Sequence, residues 1–488
     1  MIKPKLKNVK QLKDSGYKSR SIKDELSENL SDLIKSGKPS FPNIHGYENT
    51  VIPDLERAIL SKHNINFLGL RGQAKTRLAR MMVELLDDWM PIINGSEIND
   101  DPLNPVSTIG KNIIEKNGDD SEIDWVHKSE RFYEKLATPD VTVSDLIGDI
   151  DPIKAASLKL SYADESVIHF GMIPRANRSI FVINELPDLQ ARIQVSLFSI
   201  LEEKEIQIRG FKLRIPLDIQ FIFTANPEDY TNRGSIVTPL KDRIGSQIIT
   251  HYPHTLTIAK KITKQESDIM QSSVYIPELA HDLIEEINFA ARKSEYVDFK
   301  SGVSARMSIT AFENLVSTAK RRMLINNEEK TSIRLSDFTG IIPAINGKIE
   351  LVYEGEEQGA DQISFNLINE GVKTIFLRFF PEISKLEKPN EVTPYDKILS
   401  WFVENGTELF IGDEFTNKEY QDSLDEIKPL NELVKKYCKE INNEDVAFIK
   451  EVLLWGLSSF KKLSKNRMLD GIEFKDSLGS YLKNLNSD

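Results

Sequence analysis

The 488-residue sequence has one cysteine, Cys438, and seven histidines without ligand spacing. An internal disulfide and a cysteine-cluster metal site are therefore excluded, and any bound metal must take oxygen ligands. Long hydrophobic runs are missing as well. The most apolar stretches, Ser179–Ile183 and Ile219–Ala225, are far shorter than the roughly 20 residues of a membrane-spanning helix, so they read as buried strands. Nor is positive charge in excess: 63 Lys+Arg stand against 75 Asp+Glu, a net charge of −12, which disfavours a nucleic-acid protein. Residues Met1–Lys5 carry charge where a secretory signal places its apolar segment, and a cytoplasmic location is the expectation. No internal repeat is visible.

The charge that is present is uneven. The first 23 residues hold eight Lys/Arg against Asp14 alone. This predicts a flexible, solvated basic leader over 1–39, with contact to an acidic neighbour or to nucleic acid as the sharper alternative. Residues 351–430 hold 17 acidic and 7 basic side chains, so most of the deficit lies far along the chain. At roughly 150 residues per domain the length predicts about three domains. Residues 40–254 alternate strand-like runs with helical patterns, the mark of an α/β core with a mostly parallel sheet. Within it, 92–122 is rich in Asn, Asp, Gly and Pro and reads as a surface insertion. Residues 255–350 read as a helical lid: Leu279, Leu283 and Ile287 recur every four residues, and Ile309, Phe312, Val316, Ala319 and Met323 every three or four. Amphipathic segments near 396–403 and 445–455 make 351–488 an acidic, mainly helical extension.

The most informative stretch is Asn66–Arg80, where a short apolar strand runs through a glycine-containing loop into a helix beginning Lys75-Thr76. That is the context of a phosphate-binding loop, with Gly69 in place, Ala74 where a second glycine is usual, and Lys75 and Thr76 matching. Loop N–H groups can cradle a β-phosphate, Lys75 can neutralise β and γ charge, and the Thr76 hydroxyl can ligate Mg2+. Further on, Ser179–Asn184 is an apolar strand followed by Glu185. Nucleoside triphosphatases put a metal-binding Asp and a water-polarising Glu at such a strand end. Glu185 suits the second role; Asn184 suits the first less well, because an amide offers one oxygen and no charge. The strand Ile219–Ala225 ends in Asn226, which should lie beside Glu185 and help orient the attacking water. Arg243, just after the sheet, could reach the γ-phosphate of a neighbouring subunit. Arg306 opens an amphipathic helix behind Ser304, a plausible N-cap, and could close over the nucleotide from the lid.

With these motifs in this order, residues 40–345 resemble the AAA+ ATPases, and within them the branch of MoxR-type ATPases and the magnesium chelatase I subunit. The resemblance implies an AAA+ P-loop αβα core with a parallel sheet, followed by the lid and the extra C-terminal domain. It implies that Ile44, His45 and Gly46 lie at the adenine. It further implies that Gly69, Arg71, Gly72, Gln73, Ala74, Lys75, Thr76 and Arg77 form the nucleotide loop, and that Thr76 and Asn184 face Mg2+. Arg243 becomes the arginine finger and Arg306 the second sensor. The segments 137–148 with 171–176, and 205–215, are similar to the branch's helix 2 insertion and its hairpin before the first sensor. ATP and Mg2+ are the implied cofactors, and a hexameric ring or spiral the implied assembly. The implied task is remodelling of a protein client that often carries a von Willebrand factor A domain. Magnesium chelatase-like metal insertion and an ATP-dependent assembly switch with little hydrolysis are the alternatives.

Overall fold

The computed structural model describes residues 3–160, 167–207, 214–227, 235–269, 273–383, 393–405 and 408–477. The chain divides into two compact units, Met1–His251 and Tyr252–Asp488.

The first unit is built on five parallel strands: β1 (Ile65–Leu68), β2 (Phe132–Leu136), β3 (Ser179–Asn184), β4 (Ile219–Ala225) and β5 (Ser246–Ile249), in the spatial order β5-β1-β4-β3-β2. The two apolar runs singled out above are β3 and β4, buried along their whole length. A continuous apolar run suits a strand covered on both faces. Alternate residues indeed feed two cores: Phe181, Ile183, Phe221 and Phe223 pack on one side, and Ile180, Val182 and Ile222 on the other. The fold class is α/β with a parallel sheet.

The leader is not a solvated arm. Residues Val9–Asp14 form helix α1 and Ile22–Lys35 form α2, each begun by a side-chain cap, Asn8 and Ser21. Ile22, Leu26 and Leu30 enter the core under β1 and β4, and Val9 and Leu12 pack with Ile123. Spaced basic residues conceal this apolar face, which the charge count alone does not register. Nor is 92–122 a featureless insertion. Trp89–Ile93 and Ile123–His127 pair antiparallel around helix α3 (Thr108–Asn117). The fully buried Asp100 carboxylate accepts from Val106 N (2.7 Å), Ser107 N (2.9 Å) and Ser96 Oγ (2.7 Å). Among the described residues no helix is long and apolar enough to cross a membrane.

The second unit has one core running from Ala280 to Phe474. No packing boundary falls at 350/351. Helix α7 (Glu278–Lys293) from the expected lid packs on α9 (Ala360–Phe379) from the expected extension, and α8 (Ala305–Ile325) and α10 (Val446–Ser459) belong to the same core. Gly371 makes the α7–α9 approach possible: a Cβ there would lie 2.9 Å from Ile287 Cγ1 and 3.0 Å from Leu283 Cδ1. The extension is not helical throughout, since β6 (Leu409–Gly412), β7 (Leu463–Arg467) and β8 (Gly471–Asp476) form an antiparallel sheet in the order β6-β8-β7.

Candidate functional site

In an open parallel sheet, ligands bind beyond the C-terminal strand ends where the strand order reverses. Here that point lies between β1 and β4, and the loop after β1 occupies it. Gly69 N donates to Ala225 O (3.1 Å) and Thr250 N to Leu68 O (2.9 Å), so the loop is pinned to β4 on one side and to the end of β5 on the other. A Cβ on Gly69 would collide with Thr250 Oγ1 and Gln73 Oε1, so any larger residue must displace one of these side chains. Gly72 and Ala74 both adopt positive φ, 70° and 56°, and helix α4 (Lys75–Met81) starts directly after Ala74. Arg71 and Gly72 are exposed at the loop tip, Gln73 is buried, and Thr76 and Arg77 are half-buried.

Lys75 is buried, and its ammonium donates to Leu70 O (2.9 Å), to Gly69 O and to Asn226 Oδ1 (2.7 Å). Asn226 in turn donates through Nδ2 to Glu185 Oε2 (2.7 Å). One amide therefore links the loop lysine to the carboxylate at the end of β3, with its oxygen toward the cation and its nitrogen toward the anion. Glu185 sits in a left-handed conformation (φ 57°, ψ 48°) as the chain turns out of β3, and its N–H is held by Thr224 Oγ1 (3.1 Å). A non-glycine residue held at positive φ stores strain, which is common at working sites.

Thr76 Oγ1 donates to Asn184 Oδ1 (3.3 Å), as does Thr224 Oγ1 (3.1 Å). The Asn184 Nδ2 group donates to Glu134 Oε1 (2.6 Å), and Arg80 of α4 binds Glu134 Oε2 through Nε (3.0 Å) and Nη2 (2.8 Å). The Thr76 and Asn184 oxygens thus face each other at the head of α4, backed by a carboxylate. This hard oxygen set suits Mg2+. Among the described residues no group of three or more His, Cys, Asp or Glu could hold a metal.

The segment 44–46 is tied to the loop by the next residue. The Tyr47 hydroxyl lies 2.9 Å from Gln73 O and 2.8 Å from His251 O. Ile44 is buried in the core and Gly46 has φ 84°. Arg243 ends the helix Thr238–Arg243 and precedes β5, so it stands before the last strand of the sheet and not after the sheet as expected; its Nε donates to Glu202 (2.6 Å), its Nη1 to Pro239 O (2.8 Å), and the guanidinium lies over Phe198. Arg306 is exposed in the first turn of α8, and Ser304 Oγ accepts from its N–H (3.1 Å). Arg306 belongs to the second unit. The hairpin stems Glu205–Gln207 and Arg214–Pro216 pair antiparallel, while the tip with Arg209 and Lys212 lies outside the described residues. Gly148–Ile150 and Ile168–Phe170 form a second short antiparallel pair, the flanks of the expected helix 2 insertion. Sequence reading passed over Glu134, Thr224 and Thr250. A lone acidic residue inside the short run 132–136 was the signal for Glu134, and it points inward only once β2 is known to lie beside β3.

A parallel sheet with β1 between β5 and β4, carrying a Gly-x4-Ala-Lys-Thr loop at its switch point, defines a P-loop α/β protein. Residues 126–244 match the family described as the AAA domain of the dynein-related subfamily, which makes the fold that of AAA+ proteins. Among solved structures the chain is similar to a candidate ATPase of Cytophaga hutchinsonii, at 18% identity over 74% of this chain and 98% of that one, with a TM-score of 0.29. A chain of the magnesium chelatase BchI–BchD complex matches at 16% identity over 65% and 98%, TM-score 0.35. RuvB of Thermotoga maritima matches at 13% over 95% and 93%, TM-score 0.33.

Proposed function

We propose that the chain binds ATP with Mg2+ on the Gly69–Thr76 loop and hydrolyses it. The observation that carries this reading is the Asn226 amide joining Lys75 to Glu185, because it gathers a phosphate-neutralising cation, a water-orienting amide and a proton-accepting carboxylate at one strand end. Lys75 would exchange its loop carbonyls for phosphate oxygens. Glu185 would take the proton of a water whose oxygen bonds to the γ-phosphorus as the bond to the ADP oxygen breaks. Bound Mg2+ supplies charge neutralisation across the β and γ phosphates, and Thr76 with Asn184 would hold it. Ile44, His45 and Gly46 would border the adenine, and Arg243 would serve a neighbouring subunit in a ring of about six. Turnover would drive remodelling of a protein client in the manner of MoxR-type ATPases. A von Willebrand factor A domain client, or a chelatase-like metal-inserting complex, is the finer form of the same reading.

The neutral Asn184 at the metal position favours one other reading, a nucleotide-dependent assembly switch with little hydrolysis. Phosphate release measured alongside nucleotide binding and sedimentation separates the two. Lys75→Ala is expected to abolish binding. Glu185→Gln is expected to keep binding and to lose roughly 100-fold or more of turnover, the usual contribution of a general base. A Glu185→Gln chain as fast as the unaltered one would remove Glu185 from this role, and ATP-dependent assembly without phosphate release would favour the switch.

A further inference from the structure

Asn184 departs from the residue type its position calls for, yet its environment is specific. The two ends of its amide meet different partners. Oδ1 receives the hydroxyls of Thr76 and Thr224, and Nδ2 donates to the Glu134 carboxylate. A flipped amide would turn its oxygen onto a carboxylate that has no proton to give. Glu134 therefore fixes the amide with its oxygen toward Thr76. An aspartate at 184 would have no N–H to give Glu134 and would leave two acceptor oxygens facing each other at hydrogen-bond distance. Glu134 itself is mostly covered, its side chain 24% exposed. Its outer oxygen is held by Arg80, which is 63% exposed and so is largely screened by water.

We propose that Asn184 and Glu134 work as one unit, in which Glu134 is a positioning residue that supplies, one amide removed, the negative charge that a lone aspartate at 184 would bring to the Mg2+ of a bound nucleotide. The pair carries one negative charge in total, the same as an aspartate beside a neutral neighbour. A carboxylate hydrogen-bonded to a metal ligand orients that ligand and raises its donor strength. This inference rests on the nucleotide reading above, and it places the missing charge on β2 instead of β3.

The test is calorimetric binding of ADP to the full chain, in Mg2+ and in EDTA, for the unaltered protein, Glu134→Gln, and the exchanged pair Glu134→Gln with Asn184→Asp. Glutamine keeps the shape and can still bond Arg80. The expected result is about a 10-fold or greater loss of affinity in Mg2+ for Glu134→Gln, the usual cost of removing a metal ligand's hydrogen-bond partner, with affinity in EDTA unchanged. The exchanged pair should recover most of that loss, since the introduced glutamine amide can donate to the introduced aspartate. Unchanged Mg2+ dependence in Glu134→Gln, an equal loss in EDTA, or an exchanged pair that recovers nothing would each overturn the inference while leaving nucleotide binding intact. No ADP binding by the unaltered chain in either buffer would overturn the nucleotide reading itself, and this inference with it.

Discussion

Position 74 holds an alanine at φ 56°, ψ 17°, where a phosphate loop usually places glycine. The left-handed region costs an L-residue roughly 1–2 kcal/mol, part of which alanine recovers by restricting the unfolded chain. Ala74→Gly is therefore expected to raise the unfolding free energy of the first unit by about 1 kcal/mol, read from urea denaturation; a destabilised variant would mean the strain has been absorbed elsewhere. Gly69 presents the opposite case. Its missing Cβ leaves room for the Thr250–Gln73 hydrogen bond of 2.7 Å. Gly69→Ala must push one of these buried side chains away, at a cost of roughly 1–3 kcal/mol, and the loop that should bind phosphate moves with it. ADP affinity should fall together with stability.

Among the elements, helix α2 links the N-terminal segment to the sheet. Glu25 accepts from both ends of the buried Arg131 guanidinium (2.7 and 2.6 Å) and from Asp87 N (2.8 Å), while Arg131 also reaches Arg178 O (2.9 Å). Arg131 is 1% exposed and directly precedes β2. Removing one partner of such a pair leaves a buried charge uncompensated, so Glu25→Ala should cost about 3–5 kcal/mol by chemical denaturation. Replacing Glu25 and Arg131 together by methionine should cost clearly less, because the remaining penalty is packing and the lost backbone contacts. Equal losses in the two cases would show that the pair's charge is already solvated. Strand β2 carries Glu134 three residues beyond Arg131, so the same helix that looked like a basic tail braces the strand beside the candidate metal position.

At the scale of the whole molecule, buried groups of the second unit tie its stability to pH. The Glu451 carboxyl is fully buried between Tyr420 OH (2.7 Å) and Leu335 N (2.9 Å), and its other oxygen has no hydrogen-bond partner among the described residues. Burial pushes it up to about 7, with Asp337 adding to the rise and Arg334 opposing it. A folded value raised above the ordinary 4.5 contributes stability that is complete below about 4.5 and is lost as pH rises through about 7. Glu451→Gln is thus expected to be more stable than the unaltered chain at pH 8 by about 1–3 kcal/mol and to show little gain at pH 4.5, by thermal melting. Lys465, which burial lowers to about 7 above the Trp455 ring, has the opposite sign: its contribution is present above its ordinary value of 10.5 and lost as pH falls through about 7. A Glu451→Gln chain with the pH profile of the unaltered protein would show that the carboxyl is not what titrates.

Strand type, the glycine loop and its Lys75-Thr76 continuation were legible in the sequence because each depends on neighbours within a few residues: apolar runs for β3 and β4, a short strand feeding a helix for the loop. The parallel α/β class followed from their alternation. What the linear order could not hold was proximity across the sheet. Glu134 and Asn184 are fifty positions apart, and they meet only because β2 pairs with β3. The apolar face of α2 finds the sheet only because β1 and β4 lie beneath it. A single core from 280 to 474 arises because Gly371 lets α9 close on α7. Hydrogen bonds and packing of this kind are set by which elements become neighbours, and burial of both faces of the sheet decides that only in the folded chain.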